Sequence, residues 1–308
     1  MPTRIFISSG DMIADRRFDF ARDLELRGEL AAAEHLYVQA TDLAPRFITA
    51  WFTLGEVRER LGDRDGAIAA FRQAQDCDPA DRHGAGLRLI RLGAAAPAPM
   101  PTTYLRTLFD QYAPRFEAAL VEELGYRGPS LLLKAVLATR AATRRPAYFR
   151  RAIDLGCGTG LAARAFATQT DAIIGFDLSP GMIERARATG LYAALEVAEI
   201  VDALRRQRAG SADLILAADV VIYLHDVAPL LAEVFRVLAP GGLLALTAET
   251  HDGDGVVLGA GLRYAHAAGT LHAAIEAAGL VVKQLERASA RSEAGAPVPG
   301  LVIVAAKQ

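Results

Sequence analysis

The run Asp154-Leu-Gly156-Cys-Gly158-Thr-Gly160 constrains this chain most, because it stands between a short apolar stretch, residues 152–155, and a helical one, residues 161–168. Glycines in alternate positions permit a tight turn and let a ligand approach the backbone with no Cβ in the way. From residue 152 onward the pattern repeats itself, with short apolar runs alternating with helical ones. Residues 152–155, 172–176, 192–197, 213–218, 243–248, 280–285 and 301–305 read as strands, and residues 161–168, 182–189, 229–238 and 270–278 as helices. Such alternation predicts a mainly parallel sheet covered on both faces. Only a loop containing Gly295, Pro297 and Pro299 separates the last two strands, so an antiparallel terminal hairpin is expected and seven strands in all.

In an open α/β sheet the ligand lies outside the carboxyl ends of the strands, where the strand order reverses. The second strand ends in Asp177, a carboxylate placed where this architecture grips ribose hydroxyls. A strand, a glycine loop, a helix and a strand-end acid together predict a nucleoside site. A dinucleotide fingerprint would need a glycine at the sixth position of the loop, where Leu161 stands, which argues against NAD. A phosphate-cradling loop would need Gly-Lys-Ser or Gly-Lys-Thr, and no lysine is nearby, which argues against ATP.

With its leading acid and Gly-x-Gly-x-Gly, the loop resembles the first motif of the class I S-adenosylmethionine-dependent methyltransferases. The resemblance extends through most of residues 103–308. Glu199-Ile200 stands where the family puts an acid and an apolar residue after the third strand, the acid accepting from the adenine amino group; aspartate is commoner there. Leu238-Ala-Pro240-Gly241-Gly242 matches the turn before the fifth strand, and Asp177-Leu-Ser179-Pro180-Gly-Met182 matches the segment in which the methionine lies against the adenine. Phe109-Asp110-Gln-Tyr112-Ala-Pro-Arg115-Phe116 is similar to the helical lid of ubiquinone-biosynthesis-type methyltransferases. The resemblance implies a Rossmann-like α/β methyltransferase sheet that binds S-adenosyl-L-methionine and releases S-adenosyl-L-homocysteine. The cofactor set so implied is Tyr112, Asp154, Gly156, Cys157, Gly158, Gly160, Asp177, Leu178, Met182, Glu199, Ile200 and Ala218. Cys157, inside the glycine turn, is read as a small residue presenting its backbone rather than as a nucleophile.

The first hundred residues are organised differently. Sliding them by 34 positions aligns Phe20 with Leu54, Gly28 with Gly62, Ala33 with Ala67, Tyr37 with Phe71, Ala40 with Ala74, Asp42 with Asp76 and Pro45 with Pro79. Each copy reads as a helical hairpin with a glycine at its turn and a proline after its second helix. The second copy, carrying Trp51, Leu54, Gly55, Gly62, Ala67, Phe71, Ala74 and Pro79, resembles the tetratricopeptide repeat. The first carries Arg17 and Ala21 where that family has Trp and Gly, so its first helix is expected to sit less regularly. A half-repeat over residues 81–92 would cover the apolar end of the stack. Pro97, Pro99 and Pro101 then favour an extended spacer. The expected division is therefore residues 1–100, an all-α repeat domain, and residues 101–308, the α/β domain with its helical lid. As a whole the chain resembles bacterial methyltransferases that carry tetratricopeptide repeats.

The 34 basic residues are scattered among 36 acidic ones, net −2, so no electrostatic footprint for nucleic acid or an anionic membrane is present. Two cysteines make no disulfide framework, and no apolar run has the length a membrane helix needs, so a cytoplasmic location is expected. Methyl transfer from a sulfonium leaves a neutral thioether, so positioning dominates and a general base is required only if the acceptor must lose a proton. Candidates from the ends of the fourth and fifth strands and the insertion beyond are His225, His251, Tyr264 and His266, while Asp219 could reach cofactor or substrate. Arg115, Arg127 and Arg263 are candidates for gripping a substrate carboxylate. The His225-Asp226 and His251-Asp252-Gly-Asp254 spacings match no standard metal site. A small-molecule acceptor is the expected substrate. The alternatives are a protein client recruited by the repeats, and a non-catalytic scaffold that retains the cofactor pocket. The repeats are expected to pack within the molecule, self-associate or hold a protein partner.

Overall fold

The computed structural model describes residues 5–117 and 124–308, which divide into two compact units between Leu108 and Phe109. The first is all helical: α1 (Met12–Leu26), α2 (Leu30–Leu43), α3 (Ile48–Leu61), α4 (Arg64–Cys77) and α5 (Ala85–Arg91), with α6 (Thr102–Tyr112) running across the division. Gly28 and Gly62, one repeat apart, both adopt φ near +83°, the left-handed conformation that lets each hairpin turn sharply. Asp11 and Asp63 cap α1 and α4 by accepting from first-turn amides. Phe18, Tyr37, Phe47 and Leu54 form the core of this unit, interleaved with the fully buried Ala14, Ala21, Ala33, Ala40 and Ala50. α1 runs unbroken for 15 residues. Arg17 faces solvent, and Phe18, one position on, supplies the aromatic ring instead.

The second unit takes in α7 (Gly128–Ala142), β1 (Phe149–Leu155), α8 (Leu161–Phe166), β2 (Thr170–Asp177), α9 (Pro180–Ala188), β3 (Ala194–Val197), α10 (Ile200–Arg205) and β4 (Ala212–Ala217). It continues with α11 (Ala228–Val237), β5 (Leu238–Glu249), β6 (Val256–Leu258), β7 (Tyr264–His266), α12 (Ala268–Ala277), β8 (Val281–Arg287), β9 (Ser292–Glu293), β10 (Ala296–Pro297) and β11 (Gly300–Ala306). The main sheet has the order β3-β2-β1-β4-β5-β11-β8. Its first five members are parallel, and β11 lies antiparallel to both β5 and β8. The α/β architecture read from the sequence is thus the one observed, with its antiparallel end.

Side-chain alternation explains why both faces are covered. Ile153, Ile215, Ile303 and their neighbours join the core that packs under α10, α11 and α12, whereas Ala152, Leu214 and Val302 join the core shared with α7 and α8. Four details differ from the sequence expectation. β3 begins at Ala194, with Tyr192 just before it donating its hydroxyl to Asp154; β5 begins at Leu238, with a register shift over the Pro240–Gly242 turn. Residues after β5 form the antiparallel pair β6–β7 at the sheet's edge, and the loop before β11 contains the small β9–β10 hairpin. Strand order reverses between β1 and β4, so the carboxyl ends of those strands frame the crevice where a ligand is expected. Among the described residues, no helix is long and apolar enough to cross a membrane.

Candidate functional site

The glycine loop leaves β1 with Gly156 at φ +59° and Gly158 at φ +53°, conformations that carry a steric cost for any residue with a Cβ. A Cβ on Gly156 would also stand 2.7 Å from Cγ2 of Val220. On Gly158 it would point toward the ring of Phe116 at 3.7 Å, so the missing side chain leaves a narrow cradle between loop backbone and lid aromatic. Gly160 caps the start of α8. Cys157 is buried, its amide donating to the Phe176 carbonyl at 2.9 Å, and burial among carboxylates pushes its thiol pKa far up. Both features disfavour the thiolate form.

Asp177 closes β2 over the loop. Its Oδ2 accepts from the Gly158 amide and its Oδ1 from the Ser179 amide, both at 2.9 Å, which leaves lone pairs on each oxygen for two further donors. Burial raises its pKa to about 6 against the opposing pull of those amide bonds, and the nearby Asp110 carboxylate pushes in the same direction as burial. Asp154 lies below the loop and accepts from the Tyr192 hydroxyl at 2.7 Å; burial raises its pKa to about 7. Leu178 is half-buried, and Met182, fully buried on α9, has its amide tied to Ser179 Oγ. Glu199 caps α10, its Oε2 accepting from the Val201 and Asp202 amides at 2.8 and 2.9 Å, while Oε1 makes no hydrogen bond among the described residues. Ile200 is buried beside it, and Ala218 is half-buried just past the end of β4.

The lid segment reaches the loop through rings and one carboxylate. Tyr112 and Phe116 meet edge-on at 5.4 Å, and Phe109 contacts Tyr223 at 5.5 Å, near the end of β4. Asp110 Oδ1 accepts from Ser179 Oγ at 2.5 Å and from the Gly181 amide at 3.2 Å, which ties the end of α6 to the start of α9. Sequence reading quoted Asp110 only as part of the lid motif. Its role depends on a partner 71 residues away in the chain, which no local pattern reveals.

The four general-base candidates come together past β4 and β5. His225 packs edge-on against Tyr264 at 5.3 Å, and Tyr264 is buried in β7. His266 is buried too, rather than at a pocket mouth, with Nε2 donating to the Val221 carbonyl at 3.1 Å; burial lowers its pKa, and His225 and His251 lower it further. The unanticipated β6–β7 pair draws it inward. His251 Nδ1 accepts from the Gly253 amide and Nε2 donates to the Gly255 carbonyl, so both ring nitrogens are engaged within its own loop. Among the described residues no group of His, Cys, Asp and Glu could hold a metal ion.

Arg115 is exposed, and Arg127 donates to the Ser289 carbonyl at 2.9 Å. Arg263 sits in a charge network the sequence did not announce. It pairs with Glu249 at 2.5 Å and with Glu293, while Arg291 pairs with Asp219 at 2.5 Å, with Glu293 at 3.1 Å and with Glu249. Asp219, at φ +56°, is fixed by Thr247, whose hydroxyl donates to Oδ1 at 2.7 Å and accepts the Asp219 amide at 2.8 Å.

Residues 153–246 match the methyltransferase-domain family, and residues 48–81, spanning α3 and α4, match the tetratricopeptide repeat. Over 99 residues the chain is 44% identical to trans-aconitate 2-methyltransferase of Methylobacterium radiotolerans, a match covering 32% of this chain and 37% of that protein. Over 177 residues it is 30% identical to human methyltransferase-like protein 27, covering 57% of this chain and 70% of the relative. The fold is shared with the Burkholderia thailandensis 1,6-didemethyltoxoflavin N1-methyltransferase, solved with its substrate and S-adenosylhomocysteine (TM-score 0.52, 18% identity, 70% of this chain and 93% of that one). The glycine loop, the Asp177 carboxylate and these relationships agree: the chain belongs to the S-adenosylmethionine-dependent methyltransferases, with tetratricopeptide repeats ahead of the methyltransferase domain.

Proposed function

We propose that this chain transfers a methyl group from S-adenosylmethionine to a small-molecule acceptor that approaches from the carboxyl ends of β4 and β5. The observation that carries the reading is Asp177, buried against the Gly158 amide with lone pairs remaining on both oxygens, where two vicinal ribose hydroxyls can donate. The bare Gly158 backbone beneath Phe116, the free Oε1 of Glu199 for the adenine amino group, and buried Met182 complete a pocket whose residues fit a nucleoside. Tyr112, Asp154, Gly156, Cys157, Gly160, Leu178, Ile200 and Ala218 surround it in this reading.

When bound, S-adenosylmethionine supplies an electrophilic methyl on a sulfonium, with a neutral thioether as leaving group. The protein's own contribution is to align the acceptor and exclude water, which the aromatic lid favours. Among the base candidates, we place His225 first, because the rings of His251 and His266 are occupied by backbone partners. Tyr264 then orients His225 by ring contact. The family resemblance to enzymes acting on small molecules and the scattered charge of the chain support a small acceptor over a protein client. We assign residues 1–100 to the repeats, as a surface for a protein partner or self-association, and residues 101–308 to catalysis.

Calorimetric titration with S-adenosylhomocysteine tests the pocket. Asp177→Ala and Gly158→Val should each weaken binding by roughly tenfold or more, the first by losing hydrogen bonds to a charged group and the second by filling the cradle at a left-handed position. Undiminished binding in both variants would sink the assignment.

A further inference from the structure

We propose that Arg263 and Arg291 form a carboxylate fork for the methyl acceptor, and that Glu293 is its in-chain occupant, displaced when an acceptor carboxylate arrives. This rests on the methyltransferase reading above and adds the substrate class.

The fork is assembled from three parts of the chain. Asp219 follows β4 and Glu249 ends β5, at the carboxyl ends of adjacent parallel strands where ligands sit in this architecture. The next residue after Asp219, Val220, packs against Gly156, which puts the network beside the glycine loop. Glu249 and Glu293 each bridge the two guanidiniums through a single oxygen: Glu249 Oε1 meets Arg263 Nε and Arg291 Nη2, and Glu293 Oε1 meets Arg263 Nη2 and Arg291 Nε. Two planar donors converging on one carboxylate oxygen make a ready anion receptor.

The three carboxylates are not equivalent. Asp219 and Glu249 are 16% and 15% exposed, held by strand ends, and Asp219 is further fixed by Thr247. Glu293 is 39% exposed and comes from the β9–β10 hairpin, whose two strands pair only with each other. It is therefore the member of the three nearest solvent. Removing it leaves two guanidiniums against two carboxylates, a neutral buried core in which both forks have lost a partner. A carboxylate from a ligand restores the original charge and the original hydrogen bonds, whereas an amide offers an acceptor oxygen without the charge and a cation would meet two arginines first. Buried guanidiniums stripped of a partner are costly, so exchange of one carboxylate for another is the low-energy route into the site. A carboxylate so held has its lone pairs engaged, and serves as a handle that orients a nucleophile elsewhere on the acceptor.

The test uses the full chain saturated with S-adenosylhomocysteine, titrated with acetate, succinate and benzoate and with acetamide, succinamide and benzamide as uncharged matches. Glu293→Gln, on a surface hairpin, should raise affinity for at least one carboxylate by roughly tenfold, the scale of one charge-assisted hydrogen bond, and leave its amide unchanged. Adding Arg263→Lys, which keeps the charge but loses the planar fork, should reverse the gain. If no carboxylate gains in Glu293→Gln, or the amides gain equally, the fork is overturned. A chain that fails to bind S-adenosylhomocysteine yet shows the carboxylate gain would overturn the methyltransferase reading and leave the fork standing.

Discussion

Asp177 shows how one side chain can be both legible and tuned by what the sequence does not display. Its place after the second strand makes it the candidate ribose ligand, while its raised pKa comes from burial and from Asp110, which reaches it from the lid segment. Because a protonated carboxyl offers fewer acceptor sites to ribose, S-adenosylhomocysteine affinity should fall as pH drops through about 6. Titrations at several pH values should show that fall in the unsubstituted chain and not in Asp177→Asn; an unchanged profile in the variant would contradict it. The sign for stability is opposite. A carboxyl whose folded pKa lies above its unfolded value stabilises most below the latter, so Asp154 and Asp177 make the ligand-free α/β unit lose stability as pH rises from about 4 toward 7. Glu199 was legible as an acid after the third strand, whereas its cap on α10 required the helix start to be known. Arg291 was invisible, since all its partners but Glu293 lie more than forty residues away.

Among elements, the repeats were readable because a 34-residue period places glycines and alanines where geometry demands them, at turns and helix contacts. What the period could not show is the tie between the segment before α1 and the far end of the unit. Thr49 on α3 exchanges hydrogen bonds with the Ile7 amide and carbonyl, and also contacts His83 at 3.2 Å, ahead of α5. Burial holds His83 near pKa 4, although Asp78 pulls it upward. Here the unfolded state takes up the proton first, at about 6.5, so the helical unit should lose stability as pH falls from 6.5 toward 4. Thermal unfolding of His83→Gln should lack that acid-side loss; a parallel loss in the variant would assign it elsewhere. The β6–β7 and β9–β10 pairs escaped notice because two or three residues carry no usable alternation.

For the whole molecule, the two units have separate cores, one built on Phe18, Tyr37 and Phe47 and the other on the two faces of the sheet. Each therefore has the means to melt as its own cooperative unit. Scanning calorimetry should resolve two transitions, with S-adenosylhomocysteine at a hundred times its Kd raising only the one belonging to the α/β unit, by about 5–10 °C. A single transition that moves as a whole would show that the units unfold together. The prolines at 97, 99 and 101 set the division expected from the sequence, whereas the compact units part inside α6, between Leu108 and Phe109, because a helix can continue across such a division without any local mark.

The position of β11 has a consequence for how the molecule is made. It follows both of its partners in chain order, yet it lies inside the sheet, bonded along one edge to β5 and along the other to β8. Until it emerges, β5 and β8 each present an unpaired edge to the cell, a template for pairing with a neighbouring chain. A chain interrupted before Gly300 has no substitute for Val302 and Ile303, which serve opposite faces of the sheet. Sealing the sheet therefore waits for β11, and a chain truncated before it should be more open to aggregation and to proteases than the full one.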